Sequence, residues 1–186
     1  MRNDSPLRRM VFASMFGALT SIGALIAIPL QPVPITLQTL FTGLAGLLLG
    51  GSAGALSQIV YILLGVIGLP VFSGGTAGLG VLSGPTGGYL IGFVAAAYIT
   101  GKVAEDARQN SFLLNVAALA AGSFCIYILG AGWLALTAKL DPVKALLIGV
   151  VPFLPGDVLK ILAAAVLGQM LGKYFINEGS SNDQGQ

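Results

Sequence analysis

"FLLNVAALAAGSFCIYILGAGWLALTA" occupies residues 112–138 and carries no charged side chain over its 27 residues. A helix crosses about 30 Å of hydrocarbon with roughly 20 apolar residues. This stretch therefore reads as a transmembrane helix. In lipid a helix satisfies its own backbone hydrogen bonds, so a chain with one such span is read for others.

Working outward, five more spans are expected at 8–29, 37–50, 52–67, 86–104 and 156–175. Gly50-Gly51 is a helix stop between the second and third. Arg2, Arg8 and Arg9 precede the apolar run from Met10 to Pro29. That run is too long for a signal-peptide core and reads as an uncleaved first span. Composition agrees: 55% of residues are hydrophobic, 9% are charged and the mean hydropathy is +0.90. Soluble domains carry about 25% charged residues. The expected fold class is an all-α integral membrane protein of about six transmembrane helices. It would have one membrane domain at 8–175, an N-terminal tail at 1–7 and a polar, disordered tail at 176–186.

Charge sets the expected orientation. With the N-terminus inside, Arg2, Arg8, Arg9, Lys102, Arg108 and Lys173 lie at cytoplasmic ends, and Lys139, Lys144 and Lys160 lie toward the outside. The excess of positive charge inside places both termini in the cytoplasm. Three Pro/Gly-rich segments, 29–37, 68–85 and 139–155, then share the outer face. Irregular backbone at membrane depth is tolerated where protein buries it or where it lines a cavity. An outward-facing pocket roofed by these loops is expected.

Several function classes fall away. The chain has no His, so a Ser-His-Asp triad, rhomboid-type serine chemistry and His-ligated metals are excluded. Cys125 is the single cysteine and forms no intrachain disulfide. No GxxxxGK[ST] motif is present for ATP hydrolysis. Net charge is only +2, with no basic stripe for nucleic acid. An intramembrane aspartyl protease needs two intramembrane aspartates, whereas Asp141 falls in a loop. No enzyme activity, metal or cofactor is expected.

The sharpest local signal is "PFLPGDVLK", 152–160. Pro155 fits a first helical turn, and Asp157 would sit at the positive end of the helix dipole. Lys160, three residues on, shares its face. Intramembrane charges are costly and usually functional. An acceptor paired with a donor suits a cyclic urea; the plainer reading is an intrahelical ion pair. Gln58 in the third span is a candidate ligand contact or an interhelical hydrogen bond. Tyr89, following "GPTGG", is a candidate ligand contact or an interfacial aromatic. Small residues recur at spacing four in Ala13/Gly17, Gly46/Gly50 and Gly168/Gly172, which suits close helix packing. The face of span 1 carrying Ala13, Ser14, Gly17 and Ala18 is a candidate docking surface for another membrane protein.

"PVPITLQTL" (32–40), "GLPVFSGG" (68–75), "GPTGGYLIGF" (84–93) and "PFLPGD" (152–157) with Lys160 together resemble the BioY family over about residues 10–175. The resemblance implies a substrate-binding S component of an energy-coupling factor transporter for biotin in the bacterial cell membrane. It implies high-affinity capture and uptake of biotin, with a transmembrane T component and cytoplasmic ATPases as partners. It also implies polar ligand contacts at Gln58, Tyr89, Asp157 and Lys160. Phe72, Val81 and Trp133 would be apolar walls, and Ala13, Ser14, Gly17 and Ala18 would contact the T component. An S component for a different vitamin and a non-binding structural subunit are the alternatives.

Overall fold

The computed structural model describes residues 6–106 and 111–177. Arg2, Arg108 and most of both expected tails lie outside the described residues. The first helix, α1, runs Pro6–Leu25 and opens on a proline, whose missing N–H is harmless at a helix start. The chain then leaves helical geometry. Pro32 and Pro34 cannot continue a helix, and two-residue strands β1 (Ala27–Ile28) and β2 (Ile35–Thr36) pair antiparallel across them. The peptide between Gln31 and Pro32 is cis. Span 1 thus stops four residues before its expected end, and a small hairpin joins an otherwise helical chain.

Helices α2 (Gln38–Leu49) and α3 (Gly51–Val66) meet at Gly50, whose φ of +83° is the left-handed geometry that glycine supplies. A short α4 (Leu79–Ser83) precedes α5 (Gly87–Asp106) and α6 (Phe112–Thr137). The segment expected to be irregular at 139–155 is instead largely ordered. It contains α7 (Pro142–Gly149) and a 3-10 turn at Val151–Phe153. Asp141 explains this: its carboxylate accepts from the Val143 N–H at 3.1 Å and caps α7, with Pro142 in the first turn. Helix α8 (Leu154–Asn177) follows directly, with Pro155 and Asp157 near its start.

Small residues set the packing. A Cβ on Gly46 would stand 2.6 Å from the Ala97 carbonyl oxygen, so α2 and α5 touch backbone to backbone. A Cβ on Gly54 would stand 2.9 Å from Gly46 Cα, which brings α3 onto α2. Helices packed in lipid gain chiefly from such contact, since lipid tails are as apolar as leucine. The exterior is accordingly apolar, with Met10, Leu25, Leu63, Phe124, Leu136, Leu159 and Met170 exposed. Thr20, Gln38, Thr42, Gln58, Thr100 and Asp157 lie buried within.

The stretches Gly87–Glu105, Phe112–Thr137 and Pro142–Gly172 are long and apolar enough to cross a bilayer. Helix α2 has 12 residues and so spans only about 18 Å. One apolar cluster gathers Tyr61, Phe72, Tyr89, Leu90, Phe93, Ile126, Leu134 and Phe153. A second, around Phe16, Leu44, Leu48 and Leu119, packs α1, α2, α6 and α8 together. The first lies at the end of the bundle where the hairpin, the turn after α3 and the segment before α8 converge. At the other end the Gly50 turn meets α5, with the Gly51 N–H donating to Glu105 Oε1 at 3.0 Å.

Candidate functional site

The first two turns of α8 supply the charges. Lys160 Nζ donates to Asp157 Oδ1 at 2.6 Å, and the two side chains are only 10% and 6% exposed. A charge pair so far from water is costly unless its remaining hydrogen-bonding capacity is met. Two other helices meet it. Thr39 on α2 donates to Asp157 Oδ1 at 3.3 Å, and Tyr127 on α6 donates to Oδ2 at 2.5 Å. Three helices are thereby locked around one carboxylate.

This cluster forms part of the wall of a cavity of about 480 Å³. The remaining wall is mostly apolar: Val33 and Pro34 from the hairpin, Phe72 after α3, Val81 on α4, and Leu90 and Phe93 on α5. Phe72 is fixed edge-on to Tyr61, with ring centroids 5.6 Å apart at 87°, and its ring fills the space that a Cβ on Gly65 would need. Gln38 also reaches the cavity. Its Oε1 accepts from the Thr36 hydroxyl at 2.8 Å and its Nε2 donates to the Tyr61 oxygen at 2.5 Å. An apolar cavity of this size with a few convergent polar groups has the character of a small-molecule site.

A larger groove of about 650 Å³ lies between α6, α7 and α8 and shares Tyr127 and Asp157 with the cavity. Its other walls, among them Phe124, Ile128, Leu146, Leu154 and Val158, are exposed apolar side chains on the outside of the bundle. Beyond Tyr127, Asp157 and Ser123 it is lined by apolar and small residues, whereas the smaller cavity adds Lys160, Gln38 and Thr39, so the smaller cavity is the candidate site.

The residues singled out from sequence separate into two sets. Asp157, Lys160, Tyr89, Phe72 and Val81 all line the cavity. Tyr89 contributes its ring, packed 6.3 Å from Phe153, because its hydroxyl donates to the Gly149 carbonyl at 2.7 Å. Gln58 is absent from that lining and fully buried. Its Oε1 accepts from Thr42 at 3.1 Å, and its Nε2 donates to Thr20 at 3.2 Å and Ser57 at 3.0 Å. The geometry supports the interhelical reading: Gln58 ties α1, α2 and α3 together. Trp133 likewise stands outside the lining, where its Nε1 donates to the Gly84 carbonyl at 3.0 Å and braces the roof.

The docking face also divides. Ala13 and Gly17 are buried, and a Cβ on Gly17 would lie 3.0 Å from the Ser57 carbonyl oxygen of α3. Ser14 and Ala18 are exposed. With 3.6 residues per turn, neighbouring positions point to different faces, so one small pair serves internal packing and the other faces outward. Reading the sequence passed over Gln38, Thr39 and Tyr127 as individuals. The only signal was polar side chains inside apolar spans, and nothing along the chain pairs α6 with α8.

The BioY family model matches residues 1–176. "Biotin transporter BioY" of Thermotoga maritima is 42% identical over 167 residues, covering 90% of this chain and 97% of that protein. "Probable biotin transporter BioY" of Pyrococcus horikoshii is 38% identical over 164 residues, covering 88% and 96%. Among solved structures, the crystal structure of the S-component for biotin from an ECF-type ABC transporter superposes with a TM-score of 0.83 at 29% identity. That match covers 93% of this chain and 95% of the other.

Proposed function

We infer, because the chain belongs to the BioY family, that it is a multi-pass membrane protein that captures biotin as the S component of an energy-coupling factor transporter. Its relatives are named as transporters, and it serves uptake rather than catalysis. The observation that carries the reading is the Asp157–Lys160 pair set in the wall of an otherwise apolar cavity. A carboxylate has about four acceptor sites, and Lys160, Thr39 and Tyr127 take three of those on Asp157. About one is left. Lys160 has three N–H donors, of which one goes to Asp157. A cyclic urea, with an N–H beside a carbonyl oxygen, matches that remaining acceptor and those remaining donors.

In the proposed pose Asp157 accepts from a ureido N–H and Lys160 donates to the ureido oxygen. Phe72, Val81 and the Tyr89 ring pack the thiophane ring and aliphatic chain. The vitamin enters from outside, and the segments 29–37 and 68–85 enclose it. Both termini lie in the cytoplasm, and the membrane domain spans about 8–175. Release inside is driven by partners, a transmembrane T component and cytoplasmic ATPases. Gln58 holds helices together and does not touch the ligand. The exposed Ser14 and Ala18 of α1 meet the T component, while the buried Ala13 and Gly17 support that face from within.

Equilibrium binding of biotin to the detergent-purified chain, with thiamine and riboflavin as controls, tests the reading. Stoichiometric binding of biotin alone is expected. A monodisperse sample that ignores biotin, or binds a control vitamin in preference, sinks the substrate assignment.

A further inference from the structure

Two spaces meet at Asp157. The cavity of about 480 Å³ and the groove of about 650 Å³ share two wall residues among those described, Tyr127 and Asp157. Helix α6 runs between the two spaces. Ile126 lines the cavity, Ile128 lines the groove, and Tyr127 lines both. Helix α8 divides in the same way: Lys160 lines the cavity, Val158 and Ile161 line the groove, and Asp157 lines both. The two shared side chains are bonded, with the Tyr127 hydroxyl donating to Asp157 Oδ2 at 2.5 Å. Hydrogen bonds to a carboxylate are short and strong. At this point one bonded pair of side chains separates the cavity from the groove.

The acceptor positions on Asp157 place the ligand against the same tyrosine. Each carboxylate oxygen has about two of them. Lys160 at 2.6 Å and Thr39 at 3.3 Å take both on Oδ1. Tyr127 takes one on Oδ2, so the position left over is on Oδ2. A ligand N–H accepted by Asp157 therefore shares that oxygen with the Tyr127 hydroxyl and lies beside it. Beyond Tyr127 the groove is walled by exposed apolar side chains, Phe124, Ile128 and Leu154 among them.

We propose, resting on the biotin reading above, that Tyr127 is a specificity-determining residue: its ring closes the ureido edge of the cavity against the groove, so that a ureido N–H is accepted there and an N-alkylated urea is refused. The refusal is steric. An alkyl group on the nitrogen that faces Asp157 would need the space of the Tyr127 side chain. With that side chain cut back, the alkyl group has the apolar groove to enter. Specificity arises from clashes built against the wrong ligand as well as from bonds to the right one. A tyrosine that merely ties α6 to α8 would instead cost every ligand the same when replaced.

The test is equilibrium binding, to the full chain in detergent, of biotin and of its two N-butyl isomers, one substituted on each ureido nitrogen. In the parent, the isomer substituted on the nitrogen facing Asp157 is expected to bind about 100-fold more weakly than biotin, for a lost bond to a charged group and an overpacked wall. In Tyr127→Ala the gap between that isomer and biotin is expected to shrink by about tenfold, a coupling between residue 127 and the butyl group. Tyr127→Phe keeps the ring and is expected to keep the gap. Tyr127→Ser is a second opening variant, used if the alanine protein does not elute as a single species. If both isomers bind the parent within about tenfold of biotin, the edge is open and the proposal is overturned. A gap that is the same in the parent and in the opening variants overturns it too, leaving Tyr127 as a tie between helices. A parent that binds no biotin at all overturns the uptake reading instead, so the two failures are told apart.

Discussion

Replacing Asp157 with Asn leaves Lys160 buried without its counter-charge and takes from Thr39 and Tyr127 their charged acceptor. Breaking one side of a buried pair costs about 3–5 kcal/mol, and here the same atoms would face the ligand. Asp157→Asn and Lys160→Met are each expected to weaken biotin binding by about 10- to 150-fold, since hydrogen bonds to charged groups are worth about 1.5–3 kcal/mol. Calorimetry on each variant is the check; unchanged affinity in both removes the anchor. Gln58→Leu is expected to behave in the opposite way. It strands the hydroxyl of Thr42 and takes a donor from that of Thr20, which keeps its bond to the Phe16 carbonyl, so the melting midpoint in detergent should fall, by about 1–3 kcal/mol in stability, with biotin affinity nearly unchanged. Both Asp157 and Gln58 are polar residues in apolar spans, and only their partners separate them. Those partners lie on other helices, which is why the sequence left each with two readings.

At the scale of elements, glycine decides how closely helices approach. Gly46 sits where α2 meets the backbone of both α3 and α5. A larger side chain there cannot be absorbed by a rotamer change, because the Ala97 carbonyl oxygen, the Gly101 nitrogen and the Thr100 Cβ that it meets do not move with a rotamer. Overpacking typically costs about 1–3 kcal/mol. Gly46→Leu is expected to lower stability by a comparable amount, seen as a lower thermal midpoint, and to broaden the elution profile, which thermal unfolding and gel filtration would register. The spacing of Gly46 and Gly50 was legible in the sequence as a packing motif, but its neighbours were not. Helix α7 shows the reverse: Asp141 and Pro142 mark a helix start in the sequence itself, and the eight-residue helix ends before the breaks at Pro152 and Pro155.

For the whole molecule, the two faces of α1 give separate predictions. Ser14 and Ala18 are exposed, whereas Ala13 and Gly17 are packed inside. Ala18→Trp is expected to leave biotin binding of the isolated chain unchanged and to abolish most ATP-driven uptake when T component and ATPases are co-expressed. Labelled-biotin uptake in cells, set beside binding to the purified protein, checks it; normal uptake would place the docking surface elsewhere. Gly17→Leu is expected to fail earlier, by loss of folded protein.

The sequence by itself determined the solvent of this protein, the approximate limits of its helices and the presence of a costly Asp–Lys pair at the start of the last one. Each of these follows from local quantities: length and hydropathy of a run, proline and glycine positions, and the spacing of two charges on one helix. Contacts between helices settle that Tyr127 and Thr39 join Lys160 on the Asp157 carboxylate and that Gln58 bonds across three helices and stands outside the cavity lining. These are facts of contact between residues far apart in the chain. They depend on how closely small residues let the helices approach and on how each helix is rotated about its axis, and helical periodicity alone leaves both open.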